Sequence, residues 1–455
     1  MTVLAPPPLT DLGGTLLTPD DADYPLYATP WNVAVPSAPA AVVRPADADD
    51  VVAAVRFART HGLRVDVRAT GHGAAPVSGG TLLVHTGLLD ELTVHPEGWA
   101  RVGAGVKWNA LLEAAAPYGL AGLCGSSPGI GVVGYLTGGG NGPVARTFGF
   151  ACDRVRAFDV VTGDGVLRRV TPEDEPDLFW GLRGGKGALG IVTAVEIDLV
   201  AVAEVYGGAL WFDGADAATV LHAWARWCPT LPEQATTSVA VVRLPDLPGV
   251  PPPLAGRCAV AVRFAWVGDP ADGARAAAPI GSWAVPVLGG LATMPYAAIG
   301  AIHADPVDPM PATESAAMLH SLPPEAVDAL LAVVGPDSDC PQVVVELRQL
   351  GGALARRPEH PSALCARDTA FSLLLIGVAV PPLLRATQAN AGAAVAAVHP
   401  WSTGACLPNF TSAATAEAAA ATYDPPVLAR LGALARAYDP DSVLACADAV
   451  RGATQ

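Results

Sequence analysis

The chain has 455 residues, enough for two domains or one large interrupted fold whose core needs neither disulfide nor structural metal. It is 51% hydrophobic and 15% charged, the balance of a compact globular protein and not of a disordered one. The net charge of −16, with no run of Lys or Arg, argues against nucleic acid and anionic membrane surfaces as partners. Met1 to Thr10 has neither a basic nor an apolar leader segment, so no signal peptide is expected and the default location is cytoplasmic. The eight cysteines show no CxxC spacing and read as small buried hydrophobes; no metal site is expected.

The first 35 residues, rich in Pro, Asp and Thr, read as an irregular arm. Ala41-Val42-Val43 is a short strand. Asp47 is an N-cap with Asp50 at the N3 position, Val51, Val52, Val55 and Ala58 recur at helical spacing, and Gly62 closes the helix. Leu63 to Arg68 returns as a strand and runs directly into Thr70-Gly71-His72-Gly73. Thr81–Thr86 and Trp99–Gly105 read as strands, Asn109–Tyr118 as a helix capped by Gly119, and Gly122–Gly142 as a glycine-dense stretch. Val155–Thr162 and Gly165–Val170 alternate as a hairpin, Asp177-Leu178-Phe179-Trp180 opens a short helix, and Gly190–Val200 is a strand. From 201 to 400 the texture changes. The strands Gly208–Phe212, Ser238–Leu244, Ala259–Trp266 and Gln342–Leu350 alternate with Ala-rich helices, as in an antiparallel sheet covered by helices. The longest apolar stretch, Ala370 to Leu384, is broken by Pro381 and Pro382 and too short to span a bilayer. A last helix, Pro426 to Ala437, ends in Tyr438-Asp439-Pro440.

Ordinary nucleotide motifs fail. Gly103-Ala104-Gly105 lacks the third glycine of a dinucleotide fingerprint, and Gly185-Lys186 lacks the spacing and hydroxyl of a P-loop. Three glycine-rich elements remain: Arg68-Ala69-Thr70-Gly71-His72-Gly73, the run Ser126 to Gly142, and Gly181 to Thr193. Glycines let backbone N–H groups approach an anion with no Cβ in the way. So many in one loop point to close backbone contact with a ligand.

In this order the three elements resemble the FAD-binding domain of the vanillyl-alcohol-oxidase superfamily, also called the p-cresol-methylhydroxylase type, and in particular its berberine-bridge-enzyme-like branch. The resemblance is dense over 40–200, resumes at Asn409-Phe410 and Tyr438-Asp439-Pro440, and includes Val345 to Gly352; the middle region matches in texture more than in residues. It implies an α+β fold: a two-part FAD-binding domain over 1–200, an antiparallel-sheet substrate domain covered by helices over 201–400, and a segment 401–455 returning to the first domain. It implies that Arg68, Ala69, Thr70, Gly71, His72 and Gly73 wrap the FAD pyrophosphate, with His72 bonded to the flavin 8α-methyl carbon. Where many relatives carry a second cysteinyl link this chain has Ser127, and Cys124 is out of register, so a single covalent bond is expected. Ser126, Ser127, Gly131, Gly134, Thr137, Gly138 and Asn141 are expected along the ribityl and isoalloxazine, Gly190, Ile191 and Val192 at the adenine end, and Asn409 near the flavin ring. Ile130 stands where relatives control oxygen access.

The catalytic side is more open. Relatives often supply a tyrosine base from Tyr-x-Asn-Phe, but here the segment is Leu407-Pro408-Asn409-Phe410. Alternation puts Glu346 and Arg348 on one strand face, as base and substrate anchor if the carboxyl pKa is raised, or as a structural ion pair. Tyr135 is either a residue approaching the flavin or core packing. The implied reaction moves hydride from a small substrate, an alcohol, amine or natural-product intermediate of secondary metabolism, to flavin and then to O2. A dehydrogenase using another acceptor and a redox-neutral flavin-dependent cyclase are the alternatives.

Overall fold

Asp47 opens the first long helix, Ala48–His61, by accepting the Asp50 N–H at 3.0 Å, and Gly62 ends it with φ +65. The Asp50 carboxylate does not complete a capping box. It is buried and accepts the N–H groups of Gly13, Gly14 and Ala46 at 2.8–2.9 Å. That anchor organises the segment expected to be an irregular arm: Thr15–Leu17 is a strand paired antiparallel with Ala41–Arg44, and Tyr24–Ala28 is a short helix. The structure, a computed structural model, describes residues 9, 12–411 and 415–453; the remainder of the expected arm lies outside the described residues.

Three sheets follow. The first has the order Thr15–Leu17, Ala41–Arg44, Thr81–His85, Arg64–Arg68, and is parallel apart from its first strand. The second is antiparallel: Leu92–His95, Trp99–Gly103, Ile191–Asp198, Val155–Val161, Leu167–Val170. One core joins both, with Val43, Val55, Val84, Val102, Phe158 and Val195 among its members. The C-terminal helix Pro425–Tyr438 buries Leu428, Leu431 and Ala435 in that same core. After it, the Asp439 carboxylate accepts Val443 N–H at 2.8 Å and Leu444 N–H at 2.9 Å and pairs with Arg451, so the Tyr438-Asp439-Pro440 motif is a buried turn anchor.

The third sheet is antiparallel and seven-stranded, in the order Leu288–Pro295, Glu204–Asp213, Cys258–Trp266, Ala235–Arg243, Gln342–Gln349, Phe371–Val378, Ala312–Leu319. The apolar stretch from residue 370 divides into its strand Phe371–Val378 and the helix Leu383–Ala397. Among the described residues no helix is long and apolar enough to cross a membrane. Helices Ala217–Trp227, Pro324–Val334 and Leu383–Ala397 pack on one face against Val239, Val262, Phe264, Val345, Leu347, Leu373 and Leu375. Alternation turns their neighbours Ser238, Arg263, Glu346, Arg348 and Ser372 to the other face. That face looks toward the glycine-rich turns of the first two sheets.

Candidate active site

Ala69–Gly73 leaves the strand Arg64–Arg68 at a position only glycine tolerates. Gly71 has φ +82, and a Cβ there would lie 2.9 Å from the Pro30 Cα. Among the described residues none accepts a hydrogen bond from the N–H of Thr70, Gly71, His72 or Gly73. Consecutive open N–H groups are an anion-binding nest. The His72 ring stacks on Trp31 with centroids 4.4 Å apart, and its Nδ1 lies 2.9 Å from Thr70 Oγ1. Burial, then the charge of Lys107, pulls its pKa down to about 4 against an opposing pull from Asp305, so the ring is neutral at neutral pH. The buried Arg68 guanidinium donates to the Ala28 carbonyl at 2.5 Å and to Ser37 Oγ at 3.1 Å, securing the preceding segment beside the turn.

The second turn carries half-buried Ser126 and Ser127 and leads through Gly131 into the helix Val132–Thr137, which was not anticipated inside the glycine stretch. Gly134 faces open space, with nothing within 4 Å of a Cβ added there. Cys124 is fully buried and its thiol is pushed up to about 12 by burial, which leaves no thiolate to react. At the helix end, Thr137 O accepts the N–H groups of Gly184 and Lys186, both at 2.9 Å. Asn409 completes the knot: its Oδ1 accepts from Lys186 Nζ at 2.7 Å and its Nδ2 donates to Tyr135 O at 2.9 Å. A Cβ on Gly138 would sit 2.0 Å from Asn409 Oδ1, and one on Gly73 would sit 3.7 Å from Lys186 Nζ. Thus 69–73, 137–138, 186 and 409 converge. Asn141, just beyond, is buried with Nδ2 unpartnered. Gly190 precedes, and Ile191 and Val192 begin, the central strand of the five-stranded sheet, where Ile191 and Val192 pair with Val161 and Val160. Lys186 gave no usable signal in sequence, because only folding brings it to Asn409.

Opposite lies the polar face of the seven-stranded sheet. Register sets Arg263, Ser238, Arg348 and Ser372 in one cross-strand row, with Glu346 beside it. Glu346 Oε1 accepts from Ser238 Oγ at 2.8 Å and Arg263 Nη1 at 2.7 Å; Oε2 accepts from Arg348 Nε at 2.8 Å and pairs with its Nη2 at 2.8 Å. Burial alone would raise this carboxyl, but Arg348 and Arg263 hold it well below the usual carboxylate range. The raised pKa expected of a Glu346 base is therefore absent, and the residue sits in a buried ion cluster. Glu346→Gln is expected to lower unfolding free energy by about 3 kcal/mol in urea titrations, since it strands two buried guanidinium groups. Tyr135 is likewise a wall. It is buried, lies edge-on to Trp108 with centroids 5.5 Å apart, and burial drives its pKa far above the ordinary value, so it stays a neutral phenol.

Between the two sides a cavity partly open to solvent, with about 330 Å³ of empty space, is lined by Asn141, Thr236, Arg263, His303, Arg348 and Gln349 among others. A smaller one, about 240 Å³, lies against Tyr135, Gly140, Leu407, Asn409 and Phe410 and shares Asn141 with the first. His303, undistinguished in the sequence, is buried in the larger cavity, and neither ring nitrogen has a hydrogen-bond partner among the described residues. Its Nε2 is 3.4 Å from Glu346 Oε1, a contact without hydrogen-bond geometry. Burial, then Arg263, lowers its pKa, so the ring is neutral. Arg263 did carry a readable signal, as the lone charge in the apolar run Cys258–Trp266.

The open N–H nest, the neutral imidazole and the orphaned amide of Asn141 have the chemistry for a dinucleotide with a polar ring system. Comparisons agree with that chemistry. A family model described as an FAD binding domain matches residues 39–171. (R)-6-hydroxynicotine oxidase of Paenarthrobacter nicotinovorans is 33% identical over 190 residues, which cover 41% of this chain and 41% of that protein, so the chain spans less than half of this relative's length. The structure of 6-hydroxy-D-nicotine oxidase from Arthrobacter nicotinovorans superposes with a TM-score of 0.83 at 24% identity, covering 96% of this chain and 97% of that one. Wild-type BBE-like 1 of Physcomitrella patens gives 0.83 at 17% identity, covering 96% of each chain. The chain therefore carries an FAD binding domain over residues 39–171, in a fold it shares with 6-hydroxy-D-nicotine oxidase and BBE-like 1.

Proposed function

We propose that this protein is an FAD-dependent oxidase of a small organic substrate, with the flavin tethered once, through His72. Residues 1–200 and 401–455 form the flavin side in this reading, and 201–400 form the substrate side. The observation that carries it is the cleft itself: an N–H nest with a neutral histidine on one wall, and a polar, cavity-forming sheet face on the other. When bound, FAD supplies acceptance of a hydride from a substrate C–H and delivery of the electrons to O2.

The chain's own residues supply the rest. The N–H groups of 70–73 bind the diphosphate, and the side chains of Thr137, Asn141 and Asn409 with the backbone at Ser126, Ser127, Gly131, Gly134 and Gly138 orient the ring end. Neutral His72 presents a nucleophilic nitrogen, with Ser127 in place of a second thiol. His303, not Glu346 or Tyr135, is the group in the cavity that can accept the substrate proton, because it is neutral and unpartnered there. The oxidase reading also draws on the 33% identical relative, a 6-hydroxynicotine oxidase.

The purified protein is expected to be yellow, with about one flavin per chain by visible absorbance. Colourless protein that takes up no added FAD would overturn the proposal.

A further inference from the structure

The larger cavity holds more unmatched hydrogen-bonding capacity than any substrate C–H or alcohol would use. Arg263 Nε, Asn141 Nδ2, Gln349 Oε1 and both His303 nitrogens line it, all on buried side chains and all without a partner among the described residues. The charge is also unbalanced. Arg263 and Arg348 face a single carboxylate, Glu346, whose two oxygens are already occupied by Ser238 and both guanidinium groups. Arg348 spends Nε and Nη2 on that pair and keeps Nη1 outside it. His303 adds no charge, because burial and Arg263 keep it neutral. Farther out, Asp305 acts on Arg348 and His72, while Lys107 acts on His72 with the opposite sign. Two guanidinium groups thus share one directly paired carboxylate, and among the described residues Asp305 acts on Arg348 only from beyond ion-pair distance. Burying an uncompensated charge is costly, and the usual remedy is a partner ion.

We propose that this cavity receives a carboxylate, carried by the substrate and held by Arg348 Nη1, Arg263 Nε and Asn141 Nδ2. The substrate class is then a small organic acid. As a statement about substrate this rests on the oxidoreductase reading; as a statement about binding it does not. Guanidinium groups favour carboxylates because their N–H groups match two oxygens at once, and Lys retains the charge but loses that fork. Gln349 Oε1 is the acceptor on the same wall for a hydroxyl or amine on the rest of the molecule.

The test is calorimetric titration of the flavin-loaded protein with three probes of one shape: benzoate, benzamide and benzylamine. Benzoate is expected to bind roughly tenfold tighter than benzamide, or more, and benzylamine more weakly than either. Arg348→Met should bring benzoate down to the level of benzamide. It leaves Glu346 held by Arg263 and Ser238, so no carboxylate is stranded. Arg348→Lys should keep part of the preference. If Arg348→Met does not fold, Arg263→Met removes the other guanidinium, leaves Glu346 held by Arg348 and Ser238, and takes its place. Benzamide or benzylamine binding as tightly as benzoate would overturn the proposal, as would benzoate binding that neither variant weakens. Heat is read without any flavin signal. Flavin-free protein that still selects benzoate would sink the FAD reading and leave the pocket; flavin-loaded protein without selectivity would do the reverse.

Discussion

His72→Ala is expected to move the flavin from the protein pellet to the supernatant. After acid precipitation the unsubstituted protein should give a yellow, fluorescent pellet, because a carbon–nitrogen bond survives unfolding and hydrogen bonds do not. In the variant the N–H groups of residues 70–73 are intact, so the native protein should still bind flavin, but denaturation should release all of it. The physical basis is the state of the ring. An imidazole is a nucleophile only when neutral, and His72 is held neutral by burial and by Lys107, with a pKa of about 4. Trp31 and Thr70 fix its orientation. Cys124 offers no second attachment, being buried with its thiol pushed up to about 12. Free flavin in the supernatant of the unsubstituted protein would refute the tether, and covalent flavin persisting in His72→Ala would place it on another residue.

His303→Gln is expected to slow anaerobic flavin reduction by about 10²- to 10⁴-fold with any substrate that bleaches the flavin, the usual range for a lost general base. Gln keeps much of the size and the hydrogen bonding but accepts no proton near neutrality. The pH dependence separates this from a packing defect. His303 has a lowered pKa, from burial first and then Arg263, so it stays neutral and competent from alkaline pH down past the ordinary histidine range near about 6.5. The rate should fall only where acid protonates the ring, below that range, and His303→Gln should lose this acid limb. An acid limb that persists unchanged in the variant would rule His303 out. Glu346→Gln, by contrast, should lower stability and keep an acid limb, moved to lower pH because the Glu346 charge raises the His303 pKa.

Local rules made part of this protein legible in its residues. The Asp47 cap, the Gly62 stop and the period-two strands of the third sheet act over a few residues, and the structure carries them where the sequence puts them. The glycine turns are of the same kind, since a positive φ at Gly71, Gly139 or Gly140 is a demand on one residue. Strands with weak local signal escaped. Leu288–Pro295 contains two glycines and lies half exposed at a sheet edge, and neighbouring strands decide its conformation. The first 35 residues escaped because Asp50, far along the chain, organises Gly13 and Gly14.

The chemistry of the far wall was decided by tertiary structure alone. Glu346 and Arg348 share a face by alternation, which the sequence by itself determines. Whether that carboxyl is a base depends on Arg263, 83 residues away, and Ser238, 108 residues away, brought in by strand register. A pKa is set by the charges and burial around a group, and neither is a property of its neighbours in sequence. Of the two readings open for Glu346, register favours the ion pair over the base; it also buried Tyr135 as a neutral phenol and delivered His303 to the cavity with neither nitrogen hydrogen-bonded among the described residues.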